Sequence, residues 1–282
     1  MPILSSRAFL ENVKDPIYDL LSLIEPGIFL DIGASDGHMS ALMLEKSPQS
    51  HVIAVEPFPA NVQHMRDRLG SDSRVTIVPQ AIYPYATEVR FAVASTVTDA
   101  SGERRPGYSS LGRVVEKDDA AAEINIVVPA TTVDKLLNDK CARFMKVDVQ
   151  GGEIGVIRSA KAALEEQRID IIFLEFAGQA SIMSTLQSFG YFMFDSEYLL
   201  VPKDDADLSD WDLVNHRPFK LSSGRGAHHA WPKMFPTTDG GYSAFLADQR
   251  DKIGWVQTDL ICISRKALPD ILPNLLTIQK RP

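Results

Sequence analysis

The side chains with most chemical potential in this sequence are carboxylates that sit beside glycines. Phe29-Leu30-Asp31-Ile32-Gly33-Ala34-Ser35-Asp36-Gly37 runs from an apolar stretch into a glycine turn, and Glu56 follows nineteen positions after Gly37. Phe29 to Ile32 suits a buried parallel strand. Gly33 and Gly37 permit a tight turn with no Cβ in the way of a ligand, and Met39 to Leu44 has the composition of a helix starting directly after it. Strand, glycine turn and helix make a nucleotide-type crevice. The next strand, Val52 to Val55, ends at Glu56, where a carboxylate can accept hydrogen bonds from both hydroxyls of a ribose.

The spacing separates two kinds of cofactor. A dinucleotide crevice calls for Gly-x-Gly-x-x-Gly, so that a helix N-terminus receives a pyrophosphate. Here the pattern is Asp-x-Gly-x-x-x-Gly with Asp36 inside the loop, and that charge would repel a diphosphate. S-adenosylmethionine has no phosphate and carries cationic sulfonium and ammonium groups, so the loop suits it better. The cofactor contacts expected on this reading are Asp31, Gly33, Ala34, Ser35 and Gly37 in the loop, Glu56, Pro57 and Phe58 after the second strand, and Gln80 and Ala81 after the third. Asp31 would orient the loop or accept from the ammonium group. Phe58 would lie against adenine or fill the core.

The elements that must position these residues alternate. Strands are expected near 28–32, 51–55 and 75–78, with helices near 38–46 and 59–69. Val89 to Ala94 and Ile124 to Val128 read as strands, separated by a polar loop over Ser95 to Gly107. A short helix begins at Thr132, with Thr131 or Thr132 as its N-cap. Phe144 to Val149 is a core strand, Glu153 to Leu164 a helix, Ile169 to Phe176 a strand, Ile182 to Phe189 a helix, and Tyr191 to Phe194 and Leu260 to Ser264 the last strands. This alternation predicts an α/β fold, with a mainly parallel sheet covered by helices on both faces. The 282 residues are read as one domain, 1–282, with an N-terminal helical segment over 1–27. An insertion or lid over 196–257, rich in Pro, Gly, His and Trp, precedes the last strand.

Composition narrows the function. Apolar residues make up 45% of the chain, enough for a large core, and the net charge is −8 with no basic stripe, which argues against a dedicated nucleic-acid partner. No segment approaches the ~20 apolar residues that span a bilayer, and Met1 to Leu23 lacks a secretory pattern. Cys141 and Cys262 stand far apart beside apolar segments and are expected to be buried free thiols. A reducing, cytoplasmic setting fits these features.

Lys146-Val147-Asp148-Val149-Gln150-Gly151-Gly152-Glu153, followed by Val156-Ile157-Arg158-Ser159-Ala160, resembles the FkbM-type methyltransferase family. Its members carry Lys-hydrophobic-Asp-hydrophobic-Glu/Gln-Gly-x-Glu. Thr132-Val133-Asp134 and Ser109-Ser110-Leu111 are similar to two further family elements, and Asp31 to Gly37 with Glu56-Pro57 match its cofactor half. The resemblance covers about 28–195 plus the final strand. Gln150, Gly152, Ser159 and Ser35-Asp36 depart from the commoner family residues. The resemblance implies a Rossmann-like class I methyltransferase fold with an antiparallel last strand. It also implies S-adenosylmethionine-dependent methylation, most often of a hydroxyl on a sugar, polyketide or similar small molecule.

For catalysis the candidates are Asp148, Glu175 and His228. Asp148 sits at the carboxyl end of a core strand, the edge that faces ligands in such sheets. A carboxylate there can hold the donor's ammonium, orient the acceptor, take its proton, or join Glu175 around a divalent cation such as Mg²⁺. His228, in the insertion, is a candidate general base. Glu153 opens a helix, where its charge favours the dipole. The rival readings are a nicotinamide-dependent oxidoreductase and a non-catalytic binding protein on the same fold.

Overall fold

The computed structural model describes residues 20–93, 112–176, 179–195 and 258–279. His228, the 196–257 insertion, the Ser109-Ser110-Leu111 element and nearly all of the expected N-terminal helix lie outside them. The chain divides into two compact units, one taking in Glu25–Ile169 and the other Asp170 onward.

In the first unit, β1 (Ile28–Ile32), α1 (His38–Lys46), β2 (His51–Val55), α2 (Pro59–Leu69) and β3 (Val75–Val78) follow one another as expected. They are completed by β8 (Ala142–Val147), and the strands lie side by side as β8-β1-β2-β3, all parallel. Phe29 and Phe144 pair across β1 and β8 and meet edge to face, with ring centroids 5.9 Å apart, a favourable aromatic arrangement. In register with them, Asp31 lies opposite Lys146.

Between β3 and β8 the chain builds a second sheet that the sequence reading did not foresee as a unit. It comprises β4 (Ala81–Ile82), β5 (Glu88–Val93), β6 (Gly112–Val115) and β7 (Ile124–Thr131), in the order β4-β7-β5-β6. Val89, Phe91, Val93, Val128 and Ala130 bury one face against Phe58 and Ala81. Two short helices, α3 (Val133–Leu137) and, after β8, α4 (Glu153–Ser159), precede α5 (Lys161–Glu165). Thr132 is the N-cap of α3, its hydroxyl accepting from Lys135 N–H at 3.1 Å. The single helix expected over Glu153 to Leu164 is broken at Ala160. Asp134 explains the break: its two carboxylate oxygens accept from Ala162 and Ala163 N–H and so cap a new helix start.

The second unit opens with β9 (Ile169–Phe176) and continues through α6 (Ala180–Ser188), β10 (Tyr191–Asp195), β11 (Thr258–Ser264) and α7 (Leu268–Gln279). The last strand, β11, runs antiparallel to both β9 and β10. The molecule is therefore α/β, with a mostly parallel sheet and an antiparallel last strand, as the sequence led one to expect. The C-terminal helix α7, with Pro273 inside it, lies beyond the last element that the sequence reading placed. Cys262 is buried in β11, and burial pushes its thiol up. Cys141, by contrast, is exposed. It precedes β8, whose buried run starts only at Ala142. Among the described residues no helix is long and apolar enough to cross a membrane.

Candidate functional site

At the carboxyl ends of β1, β2 and β8 the chain is drawn together by backbone. Gly33 and Ala34 N–H both donate to the Val55 carbonyl, each at 3.0 Å, and Asp148 N–H donates to the Ile32 carbonyl at 3.0 Å. Gly33 has φ +81°, and a Cβ there would sit 1.8 Å from the Asp148 carbonyl oxygen. Only glycine allows this approach, and it places Asp148 directly beside the glycine loop. Gly37, also at φ +81°, lies against Met65 and Leu69 of α2.

Glu56 ties the two cofactor segments to each other. One carboxylate oxygen accepts from Ser35 N–H at 3.0 Å and the other from Phe58 N–H at 2.8 Å. The residue is 5% exposed. Burial pushes its carboxyl up to about 7, against the opposing pull of the Phe58 and Ser35 amides and the Asn61 side chain. Phe58 itself belongs to the apolar cluster under the second sheet, so its side chain serves the core; Ala81 does the same. Gln80 is half-buried, its N–H held by the Val78 carbonyl, and Pro57 is half-buried beside Glu56.

The charge argument built on Asp36 needs correction. Arg68, in the last turn of α2, donates to its carboxylate at 2.8 Å, so the loop carries an ion pair rather than a bare negative charge. The same guanidinium reaches His38 Nδ1 at 3.2 Å.

Asp31 is one residue inside the end of β1 and fully buried. Its Oδ2 accepts from the Ser40 hydroxyl at 2.7 Å. Its Oδ1 has no hydrogen-bond partner and lies 3.8 Å from Lys146 Nζ. Burial raises its pKa, opposed chiefly by the Lys146 charge. Lys146 continues to Asp148, with Nζ 3.2 Å from Oδ2, while Gln150 Nε2 donates to Asp148 Oδ1 at 2.8 Å. Burial works to raise the Asp148 pKa, but Lys146 and Gln150 prevail and hold it below the ordinary range. Strand β8 stops at Val147, two residues earlier than expected. Gln150 (φ +55°) and Gly151 (φ +101°) then turn the chain, and Glu153 fixes the turn by accepting from Gly151 N–H at 2.8 Å.

The structure therefore brings together Asp31, Gly33, Ala34, Ser35, Gly37, Glu56 and Asp148. Glu175 belongs to the second unit, half-buried on β9 opposite Asp259 of β11. Among the described residues no cluster of three His, Cys, Asp or Glu side chains is arranged to hold a metal ion. Sequence reading overlooked Lys146 and Arg68. Lys146 stands two residues before Asp148, hence on the same strand face, and that spacing was the available clue. The chain fits a cationic, ribose-bearing ligand: a glycine cradle admits no Cβ, and the carboxylate of Asp148, its pKa held low and its side chain 38% exposed, stands beside that cradle.

The sequence matches the methyltransferase FkbM domain over residues 31–193. A 2-O-methyltransferase, NoeI of Sinorhizobium fredii (strain NBRC 101917 / NGR234), is 25% identical over 191 residues, covering 61% of this chain and 76% of that protein. Among solved structures, the precorrin-6y C5,15-methyltransferase of Geobacter metallireducens GS-15 aligns at 15% identity and TM-score 0.35, over 66% of this chain and 74% of that one. The plantazolicin methyltransferase BpumL in complex with SAH aligns at 10% identity and TM-score 0.36, over 93% and 83%. The domain match spans more than half of the chain, which belongs to the FkbM methyltransferase family, with S-adenosylmethionine-dependent methyl transfer as its reaction class.

Proposed function

We propose that this protein O-methylates a hydroxyl group of a sugar or a related small natural product, in a cytoplasmic setting. The observation that carries the reading is the convergence of Gly33, Glu56 and Asp148 at one sheet edge, with Gly33 pressed against the Asp148 carbonyl. The similarity to a 2-O-methyltransferase supports oxygen as the acceptor atom. Family membership favours this reading over the nicotinamide and non-catalytic ones.

Bound S-adenosylmethionine would supply an electrophilic methyl group on a sulfonium. The chain's task is then to align the reactants and exclude water, and alignment is a major source of acceleration. Glu56 would take the ribose hydroxyls. Its oxygens already hold the Ser35 and Phe58 N–H groups and the Asn61 side chain, and an ionised carboxylate has about four lone-pair sites, so one further donor fits as the protein stands and a second would displace Asn61. Asp148 is held anionic by Lys146 and Gln150. A carboxylate with a lowered pKa is a poor proton acceptor near neutrality, so its role is to hold the donor's ammonium or orient the acceptor hydroxyl. Lys146 already fills the space between Asp31 and Asp148, which favours this reading over a metal at Asp148. His228 stays as a candidate for removing the acceptor's proton.

Two measurements test the proposal. Calorimetry with S-adenosylhomocysteine should show binding that Glu56→Ala weakens at least tenfold, and Asp148→Ala should lower turnover. With methyl-labelled donor and a panel of methyl glycosides, label should enter an ether that survives mild base. Label released by base, as from an ester, or retained on nitrogen would overturn the acceptor assignment.

A further inference from the structure

We propose that Lys146 is a positioning residue of the methyl-transfer site: its ammonium, clamped between the buried Asp31 and the edge carboxylate of Asp148, holds Asp148 anionic and fixed in place. The inference rests on the reading of Asp148 as a donor- or acceptor-facing group and adds a residue to that machinery.

The geometry is specific. Lys146 lies on β8 in register with Asp31 of β1, and two residues before Asp148, so strand periodicity puts Lys146 and Asp148 on the same face. Lysine is seldom buried without a partner, yet Lys146 is only 8% exposed. Its Nζ stands 3.2 Å from Asp148 Oδ2 and 3.8 Å from Asp31 Oδ1. Asp31 is pinned from the other side by the Ser40 hydroxyl of α1. The groups facing Asp148 are thus Lys146 on its own strand, Gln150 in the following turn, and Asp31 from β1 by charge alone. Glu153 is turned to the Gly151 amide.

Two carboxylates at one strand edge, one fully buried, repel each other. A lysine between them opposes that repulsion and favours the anionic form of Asp148. An anionic edge is what a cationic donor requires. The clamp also separates two duties: Asp31, with no exposure, serves Lys146, while Asp148, whose side chain is 38% exposed, faces solvent and ligand.

The test follows the carboxyl group of Asp148 directly, by carbon-13 NMR titration of the ligand-free protein with labelled aspartate. Loss of the resonance in Asp148→Asn assigns it. In the wild type it should titrate below the ordinary aspartate range. In Lys146→Met it should move up by about one unit or more, the size of an opposite charge within a few ångströms, and Lys146→Arg should restore it. In parallel, S-adenosylhomocysteine affinity is measured by calorimetry as the ratio of Lys146→Met to wild type. The loss should be greater at pH 5 than at pH 8, in proportion to the fraction of Asp148 that the NMR titration finds protonated at pH 5, a pH dependence that a purely structural role would not produce. Should Lys146→Met not fold, Asp31→Asn gives the second arm: it removes the competing carboxylate, so the Asp148 midpoint must stay or fall.

An unmoved Asp148 midpoint in Lys146→Met, an affinity loss equal at both pH values, or a raised midpoint in Asp31→Asn would overturn the proposal. Absence of S-adenosylhomocysteine binding by the wild type would instead sink the donor-site reading, and the NMR arm would still decide on the clamp.

Discussion

At the scale of single residues, burial and charge give Glu56 a double character. It organises the site by accepting from Ser35 and Phe58 N–H, and its carboxyl is pushed up to about 7 from an ordinary value of 4.5. A carboxyl raised in the folded state keeps its proton where the unfolded chain has lost it. Its effect on stability is therefore favourable at low pH and is lost as pH climbs from about 4.5 to about 7, a change of about 3 kcal/mol at most. The expected outcome is that the wild type loses stability relative to Glu56→Gln across this window. Urea unfolding of both proteins at pH 4.5 and pH 8 measures it. A difference that stays constant between those values would mean that folding leaves the Glu56 pKa unshifted. Glu56→Gln keeps one acceptor oxygen and turns an NH2 toward the other amide, a cost present at both pH values. Legibility at this scale was uneven. Asp31, Glu56 and Asp148 stood out because carboxylates next to glycines and strand ends are conspicuous. Lys146 did not, because a lysine in a strand reads as a solvent-facing residue until its register partner, Asp31, is known. Asp36 was misjudged for the same reason, since its partner Arg68 is 32 positions away.

At the scale of elements, glycine geometry decides how close β1 and β8 approach. Gly33→Ala combines a left-handed backbone with a Cβ driven into the Asp148 carbonyl at 1.8 Å. A backbone carbonyl cannot swing aside as a side chain can, so the expected loss exceeds ~3 kcal/mol. Gly151 is the matched control: φ is +101°, but nothing lies within 4 Å of a Cβ there. Gly151→Ala should cost only the conformational part, about 1–2 kcal/mol. Denaturant midpoints of the two variants check the contrast, and similar losses would mean that the strand ends can part without penalty. The same elements show why the parallel strands were legible. Each is a short apolar run bounded by turn residues, and the first three fell on their expected bounds. The second sheet was not legible as a sheet. Its central pairing joins Glu88–Val93 to Ile124–Thr131, about thirty residues apart in sequence, and β4 has two residues. Periodicity reports an element's faces, not its neighbours. The break in the expected α4–α5 helix was hidden likewise, because the cap that causes it comes from Asp134 in another element.

At the scale of the whole molecule, the residues assigned to the donor all belong to the first unit, from the glycine loop to the turn after β8. The net charge of −8 does not oppose the approach of a cationic donor. If the donor site is as proposed, a ligand that binds only the folded chain stabilises it by mass action, by about 2.7 kcal/mol at a hundredfold excess over Kd. For a chain of this size that raises the melting temperature by roughly 5 °C. The rise alone would not locate the site, so hydrogen exchange must accompany it. With S-adenosylhomocysteine present, amides in 33–38, of Glu56 and Phe58, and in 148–153 should exchange more slowly, because local opening there would have to release the ligand. Amides of β5 in the second sheet and of β11 in the second unit should be unchanged except through global stabilisation, which slows only those exchanging by full unfolding. Protection concentrated on β11 with none in the glycine loop would move the donor site elsewhere, whatever the size of the thermal shift. Protection in the loop but not at 148–153 would keep Glu56 at the donor and detach Asp148 from it, leaving the Lys146 clamp to serve the acceptor side alone.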